Sequence, residues 1–395
     1  MSEVDGEEEP AGAHGGPLRV VHVIDSLAGS GGAENRLVDE VLALDGRFSQ
    51  RVVRLFERDY FDVHLAEAGV PVTALGFHAS AAGRSWPAIG RRLAGVLAAD
   101  RPDVIHTSLF TGNLVGQLAG ARLGVPVVST FNRTGDLDLQ RTLQPGVATW
   151  KGRTMQAISR HVATLGDVHY RAVSDYVRTT NCGAMRLPES ACSVIPRGIH
   201  VDLAAVGAAN RAAFGLPEAS PLFVNVARLV PEKAQHLLVE AFARVRAEVP
   251  DAHLAIAGAV GPALSAVQAA IDRADLHGAV SLLGFRSDAR ALVSVADVFA
   301  FSSLSEGSPG AVAEALVLGT PVAAFGIPPV AQLTDGDAHA WLAEPSDPEA
   351  LAHAMLAAWR GSDDKARRLA TQRWATERYS LAEVAGRLGA LFDER

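Results

Sequence analysis

The feature that most constrains this chain is an alternation that runs through it twice. From residue 19 onward, short β-branched apolar runs alternate with longer stretches of helical period. Arg19–Ile24, Arg51–Phe56, Val70–Ala74, Val104–Thr107, Val127–Thr130 and Ala172–Val173 read as buried strands. Ala33–Leu44, Pro87–Ala99 and Gly112–Leu123 read as helices between them. Such alternation implies a parallel sheet covered on both faces. The pattern stops near Ile195–Pro196 and restarts at Leu222. Leu222–Val226, His253–Ala257, Val280–Leu283, Val298–Phe301 and Val322–Ala324 form a second set of strands. Arg197–Ser220, punctuated by Gly and Pro, is the expected linker. The prediction is α/β: two doubly wound, Rossmann-like domains facing across a cleft, with ligands at the carboxyl ends of the strands.

The ends of the chain complete the division. Glu3, Asp5, Glu7, Glu8 and Glu9 crowd the first ten residues, and no apolar period appears before about Pro17. Residues 1–17 are therefore expected to be a disordered acidic tail. A first domain over 18–200, a second over 201–370 and C-terminal helices over 371–395 account for the rest.

Composition excludes several classes. A net charge of −8 argues against nucleic-acid binding. Cys182 and Cys192 lack CxxC spacing and read as free thiols of a reducing compartment. No signal-peptide layout and no uncharged apolar run of about 18 residues appears, so a cytoplasmic protein is expected.

Two clusters carry chemistry. Asn225–Lys233 (NVARLVPEK) follows the first strand of the second domain. Arg228 and Lys233 thus rise from a strand's carboxyl end, five residues apart across a Pro-containing turn. An arginine offers planar two-point contact and a lysine a compact charge, so the pair suits a diphosphate. The same letters also describe two solvated loop charges. Only Lys151, Lys233 and Lys365 are lysines in this arginine-rich chain, which favours a role for Lys233.

Phe301–Ala324 (FSSLSEGSPGAVAEALVLGTPVAA) runs from a strand end through a Ser- and Gly-rich loop into a helix starting near Pro309–Gly310. Loop amides and a helix N-terminus make an anion and hydroxyl site. Glu306 in the loop and Glu314 one turn into the helix can bracket a nucleotide sugar, because a carboxylate accepts two hydroxyls at once. The alternative is a helix-start acid and a surface residue.

The E-x7-E spacing inside SxxSEGxPGxxxEALxxGTPVAA closely resembles glycosyltransferase family 4, retaining enzymes of the GT-B fold. VHVIDSLAGSGGAE (21–34), PDVIHTS (102–108), VPVVSTFN (125–132), AVSDYVR (172–178), VIPRGIHVD (194–202) and LLGFRSD (282–288) extend the likeness over nearly the whole chain after the tail.

The resemblance implies roles. Arg228 and Lys233 hold the diphosphate. Glu306 contacts the donor sugar, with amides around Ser308, Pro309 and Gly310. Glu314 takes the ribose hydroxyls, and Phe285 and Arg286 lie beside the base. Gly31 and Gly32 let the first-domain loop approach the phosphates. His106 and Asn132 stand on the acceptor side. The last helices, from about Thr371, cross back onto the first domain. The implied reaction is retaining transfer of a hexosyl-type sugar, from UDP rather than GDP, to an acceptor hydroxyl. No cofactor or metal is implied; Asp136-Leu137-Asp138 has metal-motif letters but lies away from the donor motifs.

Departures mark the acceptor side. Asn132 replaces a frequent histidine and cannot carry a proton. His106 remains nearby, its other reading being a satisfied strand histidine. Arg197–His200 replaces Asn-Gly-(Ile/Val)-Asp, and Ile327, Pro328 and Pro329 replace glycines. Ala331 and Gln332 stand where a glutamate is common. Arg133–Arg186 carries eight Lys/Arg against four acids, readable as peripheral membrane contact or as a solvated helical face. A GT-B epimerase or phosphorylase, and a sugar-nucleotide-binding protein without turnover, are the rival readings.

Overall fold

The computed structural model describes residues 16–28, 32–78, 86–134, 149–200, 206 and 209–395. The acidic tail up to residue 15, Gly31 and the Asp136–Asp138 stretch lie outside the described residues.

The first sheet has seven strands: β1 (Leu18–Ile24), β2 (Phe48–Phe56), β3 (Val72–Phe77), β4 (Val104–Ser108), β5 (Val127–Phe131), β6 (Val168–Ala172) and β7 (Cys192–Val194). Their spatial order is β3-β2-β1-β4-β5-β6-β7, and every pairing is parallel. Alternate residues of β1 serve opposite faces. Val21 and Val23 pack with Leu93, Leu97 and Val115. Val20 packs with Leu388 and Phe392, and Ile24 with Leu37 and Val41. Helices α1 (Gly32–Ala43), α2 (Asp62–Glu67), α3 (Trp86–Asp100), α4 (Phe110–Leu123), α5 (Thr149–Ala163) and α6 (Asp175–Met185) accompany this sheet.

The second sheet repeats the plan with six strands: β8 (Leu222–Val226), β9 (His253–Ala257), β10 (Val280–Gly284), β11 (Val298–Phe301), β12 (Val322–Phe325) and β13 (Trp341–Ala343). Their order is β10-β9-β8-β11-β12-β13, again all parallel. Helices α7 (Gln235–Glu248), α8 (Leu264–Arg273) and α12 (Pro348–Arg360) cover one face through Phe242, Val267 and Met355. Helices α9 (Ala289–Ser294), α10 (Gly310–Val317), α11 (Pro328–Leu333) and α13 (Lys365–Tyr379) cover the other. Asp347 caps α12 by accepting from the Glu349 and Ala350 amides at 2.9 and 3.1 Å, with Pro348 in the first turn.

Strand order reverses between β1 and β4 in one sheet and between β8 and β11 in the other. These switch points are where adjacent loops leave in opposite directions and open a crevice. The two sheets contain no common strand, so each domain buries its own core.

Several sequence expectations shift. The Val70–Ala74 strand starts two residues later, and Ala172–Val173 is only the end of β6. The return to the first domain comes later than Thr371. Helix α13 stays on the second domain, where Ala375 and Tyr379 are buried. Only α14 (Leu381–Asp393) packs on the first, through Val384, Leu388 and Phe392. The crossing is tied at Ile199, whose amide donates to the Tyr379 carbonyl at 2.7 Å and whose carbonyl accepts from Leu381 at 3.0 Å. Cys182 and Cys192 are buried and unbridged.

Candidate active site

Arg228 follows β8 and Glu306 follows β11, the two strands that flank the second switch point. Their loops are bonded together. The Leu304 amide and Ser303 hydroxyl donate to the Glu232 carbonyl at 2.8 and 3.2 Å, and the Ser302 hydroxyl donates to the Lys233 carbonyl at 2.8 Å. Gln235 donates to the Arg228 carbonyl at 2.9 Å. Gly258 lets the next loop lie beneath: a Cβ there would meet the Ala227 carbonyl oxygen at 1.9 Å. Ala234 takes a left-handed φ of +46°, turning the chain sharply into α7.

The result is a cleft of about 540 Å³ between the domains. Arg228, Lys233, Glu306, Ser308, Pro309, Gly310 and Glu314 line it from the second domain, and Gly32 and Asn132 from the first. Lys233 and Glu306 form an ion pair, each side chain largely shielded. Glu314 pairs with Arg290 at 3.3 Å. Helix α10 begins at Gly310 with no side-chain cap on its N-terminus, leaving amides facing the cleft.

Three sequence-predicted residues lie elsewhere. His106 is wholly buried in the middle of β4 and does not line the cleft. Its ring nitrogens meet His22 and Thr130, each at 2.9 Å, and Phe392 of α14 packs on it. Burial first, then the His22, Arg171 and Arg36 charges, push its pKa well below the ordinary range, so it is a neutral core histidine. Phe285 is 72% exposed, and Arg286 is held by Asp288 at 2.6–2.7 Å and lies over the Phe214 ring. Neither lines the cleft, although both follow β10 at the same sheet edge.

The structure adds two arginines that sequence reasoning did not assign. Arg36 of α1 and Arg197 of the linker line the cleft from the first domain, opposite Arg228 and Lys233. A Cβ on Gly310 would lie 2.4 Å from the Arg197 guanidinium, so Arg197 sits against the start of α10. The Arg36 Nε and Nη2 atoms are buried without a hydrogen-bond partner. Burial lowers its pKa to about 10. Glu40 balances these charges. It takes two bonds from Arg171 at 2.6 and 2.7 Å and lies 3.4 Å from Arg36. Burial would raise the Glu40 carboxyl, but the two arginines outweigh it and hold its pKa below the ordinary range. The one advance sign was Arg197 itself, an arginine where the resemblance leads one to expect asparagine.

The described residues contain no helix long and apolar enough to cross a membrane.

Known proteins share this architecture and sequence. The family model "Glycosyl transferase 4-like domain" matches residues 31–198, and "Glycosyl transferases group 1" matches 208–373. An uncharacterized glycosyltransferase of Methanocaldococcus jannaschii is 38% identical over 101 residues, 26% of this chain and 25% of that protein. The chain thus matches well under two thirds of that relative's length. A D-inositol 3-phosphate glycosyltransferase of Xylanimonas cellulosilytica is 28% identical over 316 residues, 74% of this chain and 73% of the relative. The structure of Anabaena HepE in complex with UDP is similar in fold, with a TM-score of 0.79, 20% identity, and 96% of this chain and 100% of that one covered. Two family models, one on each sheet, meet the two motif clusters at a single cleft, and the chain belongs to glycosyltransferase family 4, with the GT-B fold.

Proposed function

We propose that the chain transfers a hexosyl-type sugar from a nucleotide-diphosphate donor, UDP before GDP, to an acceptor hydroxyl with retention of anomeric configuration. The observation that carries this reading is the convergence of Arg228, Lys233, Glu306 and Glu314 on one cleft at a sheet switch point. The diphosphate lies on Arg228, Lys233 and the amides opening α10, with Arg36 and Arg197 completing the positive wall. Glu306 binds donor-sugar hydroxyls and Glu314 the ribose. UDP is favoured because fold neighbours were solved with UDP and UDP-glucose.

In the proposed reaction the bond from the anomeric carbon to the diphosphate oxygen breaks, and one from that carbon to the acceptor oxygen forms on the same face. The acceptor proton passes to the leaving phosphate oxygen. The cations offset the charge that grows on that leaving group, which is where electrostatic stabilisation accelerates transfer most. They take the place of a divalent metal, and peripheral membrane contact through the basic stretch Arg133–Arg186 belongs to the same proposal.

The test is proton NMR of the product formed from UDP-glucose, and of the same reaction with GDP-mannose. An α-linked product made from UDP-glucose supports the reading. A β-linked product overturns retention, and turnover only with GDP-mannose overturns the base assignment. Transfer that needs inorganic phosphate as acceptor points to a phosphorylase instead.

A further inference from the structure

A second cavity, of about 620 Å³, lies inside the first domain behind Asn132. It is distinct from the donor cleft but shares a wall with it: Leu109, Asn132, Arg133 and Thr134 line both. Its volume falls in the range of sites for drug-sized ligands, roughly 300–1,000 Å³. The interior is mainly apolar, built from α4, α5 and α6 by side chains such as Leu114, Met155 and Met185. Phe131 and Tyr170 contribute stacked rings, 4.4 Å apart and 8° from parallel.

Polar side chains share this wall, Asn113, Gln117 and Asn181 among them, and two polar groups lack partners. Both polar atoms of the Asn132 side chain are buried with no hydrogen bond. The Tyr170 hydroxyl is also buried and unbonded, approaching the Gln117 amide without making a hydrogen bond. Unsatisfied buried groups are costly, and a ligand that completes them removes that cost. Asp25, at the end of β1, is the acid in the wall; its carboxylate accepts from the Gly112 amide at 2.6 Å. Arg133 stands in the same wall, so Asp25 is matched there by a charge of the opposite sign.

We infer that this cavity holds the acceptor, and that the acceptor is a hydroxyl compound with a mainly apolar, ring-containing body seated behind Asn132. The inference rests on the transferase reading of the adjoining cleft. The acceptor's hydroxyl end reaches the donor sugar past Asn132, which spans both spaces. Asn132 can then donate to or accept from that hydroxyl without exchanging a proton with it. An apolar body matches Leu114, Met155 and Met185, one from each of the three helices.

The test uses two probes with the same sugar hydroxyls, 2-naphthyl β-D-glucoside and methyl β-D-glucoside. Their binding to the full chain is measured by calorimetry beside that of UDP. The naphthyl glucoside is expected to bind at least tenfold more tightly. Ala184→Phe, which fills the cavity from α6, should abolish that preference and leave UDP affinity unchanged. Gly152→Leu does the same from α5 and raises helix propensity, so it stands in if Ala184→Phe does not fold. Equal binding of the two glucosides overturns the inference, and so does a preference that survives in a filled variant still binding UDP. Loss of UDP binding by the wild-type chain would count against the donor reading alone, because the naphthyl preference is read separately.

Discussion

Gly307 packs so closely on the Asn132 carbonyl that a Cβ at Gly307 would lie 2.3 Å from its oxygen. The contact joins the second-domain loop that carries Glu306 to the end of β5, where Asn132 follows. Ser174 fixes it from beside, donating its hydroxyl to the Gly307 carbonyl at 2.7 Å while accepting from the Val177 amide as the cap of α6. The domain contact and the glutamate loop are therefore one structural unit.

Gly307→Ala is expected to force that unit apart. Its obstacle is backbone rather than a flexible side chain, so the domains must separate or the loop must move, costing about 1–3 kcal/mol. Transfer should fall, with the donor KM rising, while each domain stays folded. Steady-state kinetics together with small-angle scattering checks this. Unchanged kinetics with an unchanged radius of gyration would contradict the contact.

The Lys233–Glu306 ion pair predicts opposite effects on nucleotide binding from its two members. Lys233→Ala removes a cation proposed to hold the diphosphate and should weaken UDP binding and reduce transfer by roughly 100-fold, the scale of losing one stabilising group at a growing charge. Glu306→Gln frees Lys233 from a competing carboxylate and should tighten UDP binding while lowering transfer. Calorimetry with UDP and turnover assays on both variants provide the measurements. Parallel loss of UDP affinity in the two would refute the competition.

Glu40 holds two buried arginines, and Arg171 is wholly shielded from solvent. Glu40→Gln keeps the shape but leaves both guanidinium groups without their counter-charge. Breaking such a buried set costs about 3–5 kcal/mol. For a domain of this size that lowers Tm by roughly 10 °C. Calorimetry of the variant would show the first-domain transition moving while the second-domain transition stays. A shift under 2 °C, taken as roughly half a kcal/mol, would mean the pair is not supporting the fold.

How much of this could be read in advance depends on range. Buried parallel strands such as Val298–Phe301 and Val322–Phe325 are continuous apolar runs and declare themselves. Edge strands do not: Cys192–Val194 and Trp341–Ala343 are three residues each, and Gly76 with φ +70° interrupts the period of β3. In β6, His169 and Arg171 broke the apolar pattern, and only the distant Glu40 explains how Arg171 comes to be buried. The two motif clusters that line the cleft were legible because each is local, a strand end with its following loop. Arg36 and Arg197 reach the same cleft from separate elements, which no spacing reveals. Between the two readings of His106 local sequence could not decide, since the helix that covers it begins 275 residues later in sequence, at Leu381.

The buried histidine pair makes a prediction about pH. His22 and His106 share a 2.9 Å contact between their Nδ1 atoms, so one donates and the other accepts, and the accepting ring must be neutral. Burial lowers His22 to about 4 and takes His106 well below its ordinary value, with Arg36 and Arg171 adding positive charge nearby. In the unfolded chain both titrate near 6.5. Between about 6.5 and 4 the unfolded state therefore binds more protons than the folded one, and stability falls as pH falls. Asp25 acts in the opposite sense: burial raises its pKa to about 6, so the folded state takes up its proton first. Two histidines outweigh one aspartate, and the net slope is a loss of Tm on acidification through this window. His22→Gln removes one of the two groups, so it should flatten the slope by comparison with wild type, in Tm profiles recorded from pH 7.5 to 4.5. A variant whose profile is as steep as the wild type's would show that the pair does not carry the acid sensitivity.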